Sequence, residues 1–217
     1  MKEIDKIAYF TKAVDIVDLF MEKNRRYYVE AMNIVMATLV ESHRDFIEMH
    51  DHNPIHHIES RIKTNESIII KLLKHHSPIS TTIISRRIKD VAGIRVVCDF
   101  INDVYAVASL LGHSGLMVIR SKDYICRPKA NGYRSLQMVV AVPIIINEKW
   151  IDIPVEIQIR TVAMDIWGRL EHKLRYKSDR SSSKELYDRL RQCADQLADI
   201  DTEIQGIYNS REKNSRE

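Results

Sequence analysis

The spacing of apolar residues changes along this chain, and the changes mark its elements. Ile4, Ile7, Ala8, Val14, Val17 and Met21 recur at helical intervals, and a second helical stretch runs from about Tyr27 to Met49. Pro54 in DHNPIHH breaks that pattern. A third helix is expected from Ile58 to His76, ended by SPISTT. The period then shortens. GIRVVCDF (93–100), LMVIR (116–120), SLQMVVAVPIII (135–146) and WIDIPVEIQIR (150–160) read as strands. NDVYAVASLLGHS (102–114) reads as a helix opened by Asn102 and closed near Gly112. Thr161 is a plausible cap for a helix through VAMDIWGRLEHKLRYK, whose basic last turn suits the helix dipole.

RSSSKELYDRL opens the last helix, with Ser182 and Glu185 at capping-box spacing. Leu186, Leu190, Cys193, Leu197, Ile200, Ile204 and Ile207 then form a heptad stripe. Such a stripe serves equally as a helix packed on its own domain or as a seam between subunits. The expected fold class is α/β (or α+β): a mixed sheet of about four to five strands surrounded by helices. The expected divisions are a helical extension over 1–50, a central domain over 51–178, and a C-terminal helix with a polar tail over 179–217.

One strand carries an unusual polar face. In PVEIQIRT (154–161), Glu156, Gln158 and Arg160 alternate with Val155, Ile157 and Ile159, so the three polar groups share one side. A Glu on a half-buried strand is costly unless it is solvated, paired or bound to a metal. A second acid, Asp90, leads the strand that contains Gly93 and Arg95. Two carboxylates on neighbouring strands suit Mg²⁺, which takes a few carboxylates and fills its shell with phosphates and water. Tyr133, Ser135 and Gln137 make a second polar strand face.

Charge sharpens the picture. The net charge is only +3 over 217 residues, which by itself indicates no nucleic-acid partner. Locally, however, Arg61, Lys63, Lys71, Lys74, Arg86, Arg87 and Lys89 face only Glu66 and Asp90 between residues 60 and 90. Such an excess attracts phosphates. Lys63, Ser67, Lys71 and Lys74 fall within a sector of about 80° on one face of the expected third helix. A Lys stripe is commonly just a solvated helix face; it also suits a triphosphate, since Lys is a compact point charge for phosphate. KDYICRPKANGYRSLQ (122–137) adds Lys122, Arg127, Lys129 and Arg134 around Tyr133, an aromatic able to stack a base.

Composition excludes other classes. Hydrophobic residues make up 45% and charged residues 29% of the chain, a soluble globular profile without a membrane-spanning run. MKEIDKIAYF lacks the features of a secretory signal. Cys98, Cys126 and Cys193 are far apart and outside any CxxC spacing, which suits a reducing cytoplasm. There is no Walker A, GxGxxG, kinase or HExxH pattern. The histidines at 43, 50, 52, 56, 57, 75 and 76 fit no common zinc template and read as solvated or capping groups.

DVAGIRVV, NGYRSLQ, VEIQIRTVAMDIW and LEHKLRYK, in this order, resemble the synthetase domain of the RelA/SpoT family. The resemblance runs from about Asp51 to Lys177, and the short length is similar to that of a stand-alone small alarmone synthetase. It implies a nucleotidyltransferase-like domain that transfers pyrophosphate from ATP to the 3′-hydroxyl of GDP or GTP and releases AMP. Arg61 and Arg95 would sandwich the adenine. Lys63, Ser67, Lys71 and Lys74 would hold the ATP phosphates, and Asp90 with Glu156 would bind Mg²⁺. Tyr133 would stack on guanine with Asp165 near the base edge. Lys122 and Lys129 would contact the guanosine phosphates, with Gln158 positioning the nucleotide. Glu156 would orient or deprotonate the 3′-hydroxyl.

The chain departs from the family pattern Gly-Tyr-x-Ser-x-His at Gln137, which donates a hydrogen bond but carries no proton at neutral pH. HDH at 50–52 is reminiscent of the hydrolase half of larger members, a separate helical domain for which the segment before residue 50 leaves no room. The resemblance also implies a homo-oligomer, a tetramer above all, and regulation by pppGpp or single-stranded RNA. The competing class is a catalytically degenerate synthetase that serves as a nucleotide- or RNA-binding module. Aromatics at 7% and the lack of an RNA-binding motif weigh against it.

Overall fold

The computed structural model describes residues 3–50, 52–177 and 183–214. Its elements, in chain order, are α1 (Glu3–His50), β1 (His57–Ile62), α2 (Asn65–Lys74), α3 (Thr81–Arg87), β2 (Ala92–Cys98), α4 (Ile101–His113), β3 (Met117–Asp123), β4 (Leu136–Ile146), β5 (Lys149–Thr161), α5 (Val162–Lys177) and α6 (Ser183–Asn214). The strands form one sheet in the order β1-β2-β5-β4-β3. Only β2 and β5 pair in parallel; the other neighbours are antiparallel. The expected mixed sheet wrapped by helices is present, with five strands.

Alternation gives the sheet two unlike faces. Ile94, Val96, Met138, Val140, Val155, Ile157 and Ile159 point to one side and join the core. α1 covers that side with Val17, Phe20, Tyr28, Val35 and Leu39, and α4 with Val104, Val107 and Leu111. The long α1 is therefore continuous with the core of the sheet. α2 and α3 add Ile68, Ile69, Leu72 and Ile84 to it.

The expected helix over Ile58–His76 is two elements. His57–Ile62 pairs antiparallel with β2, setting Ile58 and Ile62 toward the core and Glu59 and Arg61 on the opposite side. Thr64 then caps α2, its Oγ1 accepting from Ser67 N at 3.3 Å. Lys63 therefore precedes the helix that carries Lys71 and Lys74. The SPISTT segment does more than stop a helix, because Ser80 Oγ accepts from Ile83 N at 3.2 Å and opens α3.

Thr161 acts as foreseen: its Oγ1 accepts from Met164 N at 3.2 Å at the start of α5. Phe100 rather than Asn102 takes the cap position of α4, with Asp103 Oδ2 accepting from Phe100 N at 3.3 Å. The Ser182 capping box lies outside the described residues. On α6 the domain-facing seam is Ala194, Asp201 and Gln205, which are buried. The second half of the heptad stripe, Ile200, Ile204 and Ile207, is exposed. α6 is held largely by polar contacts: Thr161 Oγ1 donates to Asp201 Oδ2 at 2.5 Å, and Asn102 N donates to Gln205 Oε1 at 2.8 Å.

Candidate active site

The polar side of the sheet carries two rows of register partners. Arg61, Gly93, Glu156, Val139 and Arg120 form one row across β1, β2, β5, β4 and β3. Glu59, Arg95, Gln158, Gln137 and Lys122 form the next. Gly93 stands between Arg61 and Glu156, and the missing side chain leaves room there. A cleft of ≈ 160 Å³ opens over this face, lined by Glu59, Arg61, Asp90, Arg95, Glu156 and Gln158 among others.

Asp90 is the electrostatic anchor of one end. Its Oδ2 lies 2.7 Å from Lys63 Nζ and 2.8 Å from Lys71 Nζ. Burial alone would raise the carboxyl's pKa, but the two lysine hydrogen bonds outweigh it and hold Asp90 below the usual carboxylate range. Its Oδ1 is buried without a hydrogen-bond partner among the described residues. Such an oxygen is costly unless something binds it. With Glu156 lining the same cleft, two hard oxygen donors are available, a set that fits Mg²⁺. Among the described residues no three His, Cys, Asp or Glu side chains converge.

Glu156 is held by one oxygen. Gln158 Nε2 donates to its Oε2 at 2.9 Å, and Arg120 Nη2 stands 4.0 Å from its Oε1. Arg61 and Arg95 are diagonal neighbours on one face of the sheet, their residue positions roughly 7–8 Å apart. Ser67 and Lys74 are exposed on α2; Ser67 Oγ accepts from Thr64 Oγ1 at 2.9 Å.

The other end is built around Tyr133. Its hydroxyl accepts from Gln137 Nε2 at 2.9 Å and from Arg160 Nη2 at 2.8 Å. Lys129 Nζ lies 4.4 Å from the Tyr133 ring centre and 4.5 Å from that of Tyr124, so the loop cation is stacked on both rings. Lys122 is exposed beside Gln137. The turn before Tyr133 needs Gly132, whose φ is +86° and whose Cβ would come within 2.6 Å of Ala194 Cβ on α6. Arg134 extends the same clamp, donating to Ala194 O at 3.2 Å and to Asp195 Oδ1 at 2.9 Å.

Asp165 is buried in the first turn of α5, where Arg95, Arg160 and Arg169 surround it. Glu59 pairs with Arg95 at 3.1 Å and with Arg169 at 2.5 Å. Glu59, Arg120 and Arg169 join the site without a signal that the sequence reading used, and Arg160, noted there only as part of the polar face of β5, proves to be a partner of Tyr133 and Asp165. The signal for Glu59 was present: it stands two residues from Arg61, on the same face of a strand that was read as helix.

Comparison with known proteins places this arrangement. The region found in RelA/SpoT proteins matches residues 60–181. The chain belongs to the RelA/SpoT family. It is 42% identical over 160 residues to GTP pyrophosphokinase YwaC of Bacillus subtilis, covering 73% of this chain and 76% of that protein. GTP pyrophosphokinase YjbM of Bacillus subtilis is 33% identical, over 72% of this chain and 74% of that protein. Among solved structures, small alarmone synthetase 1 of Bacillus subtilis bound to its product pppGpp superposes with a TM-score of 0.77 at 29% identity, over 88% of this chain and 98% of that one. Small alarmone synthetase 2 of the same organism gives 0.76 at 35% identity, over 88% and 99%. The fold is thus that of the small alarmone synthetases, and no described helix is long and apolar enough to cross a membrane.

Proposed function

We propose that this protein is a (p)ppGpp synthetase that transfers a pyrophosphoryl group from ATP to the 3′-hydroxyl of GDP or GTP and releases AMP. One observation carries the assignment. Glu156 shares a cleft with Asp90, and Lys63 and Lys71 are gathered on the latter's carboxylate. A candidate base thus stands beside a phosphate-binding set. The activity that names YwaC and YjbM supports the reading.

In this reading the adenine enters between Arg61 and Arg95, and Lys63, Lys71, Lys74 and Ser67 face the triphosphate. Tyr133 stacks the guanine, and Lys122 and Lys129 meet the guanosine phosphates. The 3′-oxygen attacks the β-phosphorus of ATP, and Glu156 takes the hydroxyl proton. The bond from the β-phosphorus to the oxygen bridging to the α-phosphorus breaks, and AMP leaves with that oxygen. Gln158 fixes one oxygen of Glu156, which aims the other. Asp90 and Glu156 would hold Mg²⁺, which supplies charge neutralisation on the phosphate oxygens when bound. Positioning and electrostatics therefore supply most of the rate.

The exposed apolar positions Ile166, Leu170 and Leu174 on α5, with Ile200, Ile204 and Ile207 on α6, support self-association. A tetramer in the cytoplasm is the form we propose, and three free thiols suit that compartment. The deciding experiment is chromatography of products after the protein meets ATP, Mg²⁺ and either GDP or GTP. AMP with a guanosine tetra- or pentaphosphate is the expected result; no product from folded protein overturns the assignment in favour of a binding module.

A further inference from the structure

The carboxylate of Asp165 faces three arginines. Oδ1 lies 3.3 Å from Arg95 Nε and 3.3 Å from Arg160 Nη1, and Oδ2 accepts from Arg169 Nε. The residue is only 5% exposed and sits where the α5 dipole favours negative charge. Two branches leave this carboxylate. Through Arg95 it reaches the cleft that contains Arg61 and Asp90. Through Arg160, whose Nη2 donates at 2.8 Å both to the Tyr133 hydroxyl and to Gln158 Oε1, it reaches the Tyr133 end and the partner of Glu156.

The surroundings are built for this junction. Arg95, Arg160 and Arg169 bring three cations together against Asp165 and Glu59. Burial first and the charge of Arg160 second make Arg95 harder to keep protonated, and Asp165 opposes both. Gly168 leaves the space that Arg160 fills, since a Cβ there would come within 2.8 Å of Arg160 Nη1. Two of the contacts to Asp165, from Arg160 Nη1 and Arg169 Nε, are hydrogen bonds, and Arg95 Nε stands at ion-pair distance.

We propose that Asp165 is a positioning residue that couples the two nucleotide subsites, setting Arg95 for the adenine side and Arg160, with Tyr133, for the guanosine side. The inference rests on the proposed function. It adds that a loss at Asp165 is felt at both ends at once, because Arg95 and Arg160 share a single oxygen.

The test measures equilibrium binding without turnover. Wild type and Asp165→Asn are titrated with the ATP analogue AMPCPP, with GDP, and with inosine diphosphate, which lacks the 2-amino group that a carboxylate at the base edge would bind. The expected result is a fall of about tenfold or more for both AMPCPP and GDP, as follows from removing one partner of a buried charge pair. The GDP to inosine diphosphate ratio stays at its wild-type value. A fall for one nucleotide alone, a changed ratio, or no change overturns the proposal. Wild type that binds neither AMPCPP nor GDP overturns the proposed function as well. Should Asp165→Asn fail to fold, Arg169→Gln, on the exposed side of the cluster, is judged by the same criteria, with a smaller loss of about threefold at both subsites.

Discussion

Lys63 Nζ lies 2.7 Å from Asp90 Oδ2. A residue suited to phosphate is thus paired with the residue suited to metal, and Lys71 doubles the effect at 2.8 Å. Two cations on one carboxylate oppose entry of a bare divalent ion. The expected outcome is that Mn²⁺ alone shows no saturable binding up to millimolar concentration, by calorimetry or paramagnetic resonance, and binds once AMPCPP is present. Saturable binding of Mn²⁺ to the free protein would show that the lysines do not guard Asp90.

Glu156→Gln keeps the side chain's shape and removes its proton-accepting charge. Synthesis, followed as AMP formed, should fall by about 10²–10⁴-fold, the usual worth of a positioned base. Affinity for GDP and AMPCPP should change little. Near-normal turnover by this variant removes Glu156 from the chemistry.

Gln137 Nε2 donates to the Tyr133 hydroxyl at 2.9 Å. Gln137→Leu deletes that bond and leaves the Tyr133 hydroxyl to Arg160. Loss of about 1 kcal/mol of orientation should raise the KM for the guanosine acceptor roughly fivefold. The KM for ATP should not move, and an equal rise in both would show that Gln137 acts beyond the Tyr133 end.

Gly132→Ala meets two obstacles: a φ of +86° and Ala194 Cβ within 2.6 Å of the new methyl. The strain is on the order of 1–3 kcal/mol. Thermal unfolding should shift down by several degrees, and the acceptor KM should rise, because the loop bearing Lys129 and Tyr133 must pull away from α6. An unchanged melting temperature would mean that α6 yields freely.

Asp201 carries a pH signature. Burial raises its pKa above the ordinary value, partly offset by the Thr161 hydroxyl and the charge of Arg134. The folded state therefore keeps the Asp201 proton to higher pH than the unfolded chain. Stability from this group is present below the unfolded pKa and declines as pH rises through the folded one. Asp201→Asn should remove that decline and match or exceed wild-type stability above the window. Denaturant midpoints measured from pH 4 to 8 test this, and an unaltered slope would contradict it.

Much of this structure is legible in the chain because local pattern and tertiary role agree. The alternation in VEIQIR fixes both the core face and the polar face of β5. Thr161 caps α5 as its residue type suggests. β1 is the instructive failure. HIESRI is too short and too polar to outweigh the helical pattern downstream, and it becomes a strand only by pairing with β2. That misreading hid Glu59, and with it the arginine cluster around Asp165. α6 is a different case: its heptad stripe leaves two roles open, and burial against the domain falls on Ala194, Asp201 and Gln205 while Ile200, Ile204 and Ile207 are exposed. Hydrogen bonds to Thr161 and Asn102 decide that face, and no periodicity encodes them.

The two polar rows that cross all five strands also bear on how the sheet assembles. Because side chains alternate, a slip of one residue in β5 would drive Glu156, Gln158 and Arg160 into the core beneath α1 and α4, and bring Ile157 and Ile159 out to water. Every slip by an odd number of residues thus carries a charged penalty that the native pairing avoids. The polar residues of this face therefore also act as proofreaders against odd-numbered slips during folding.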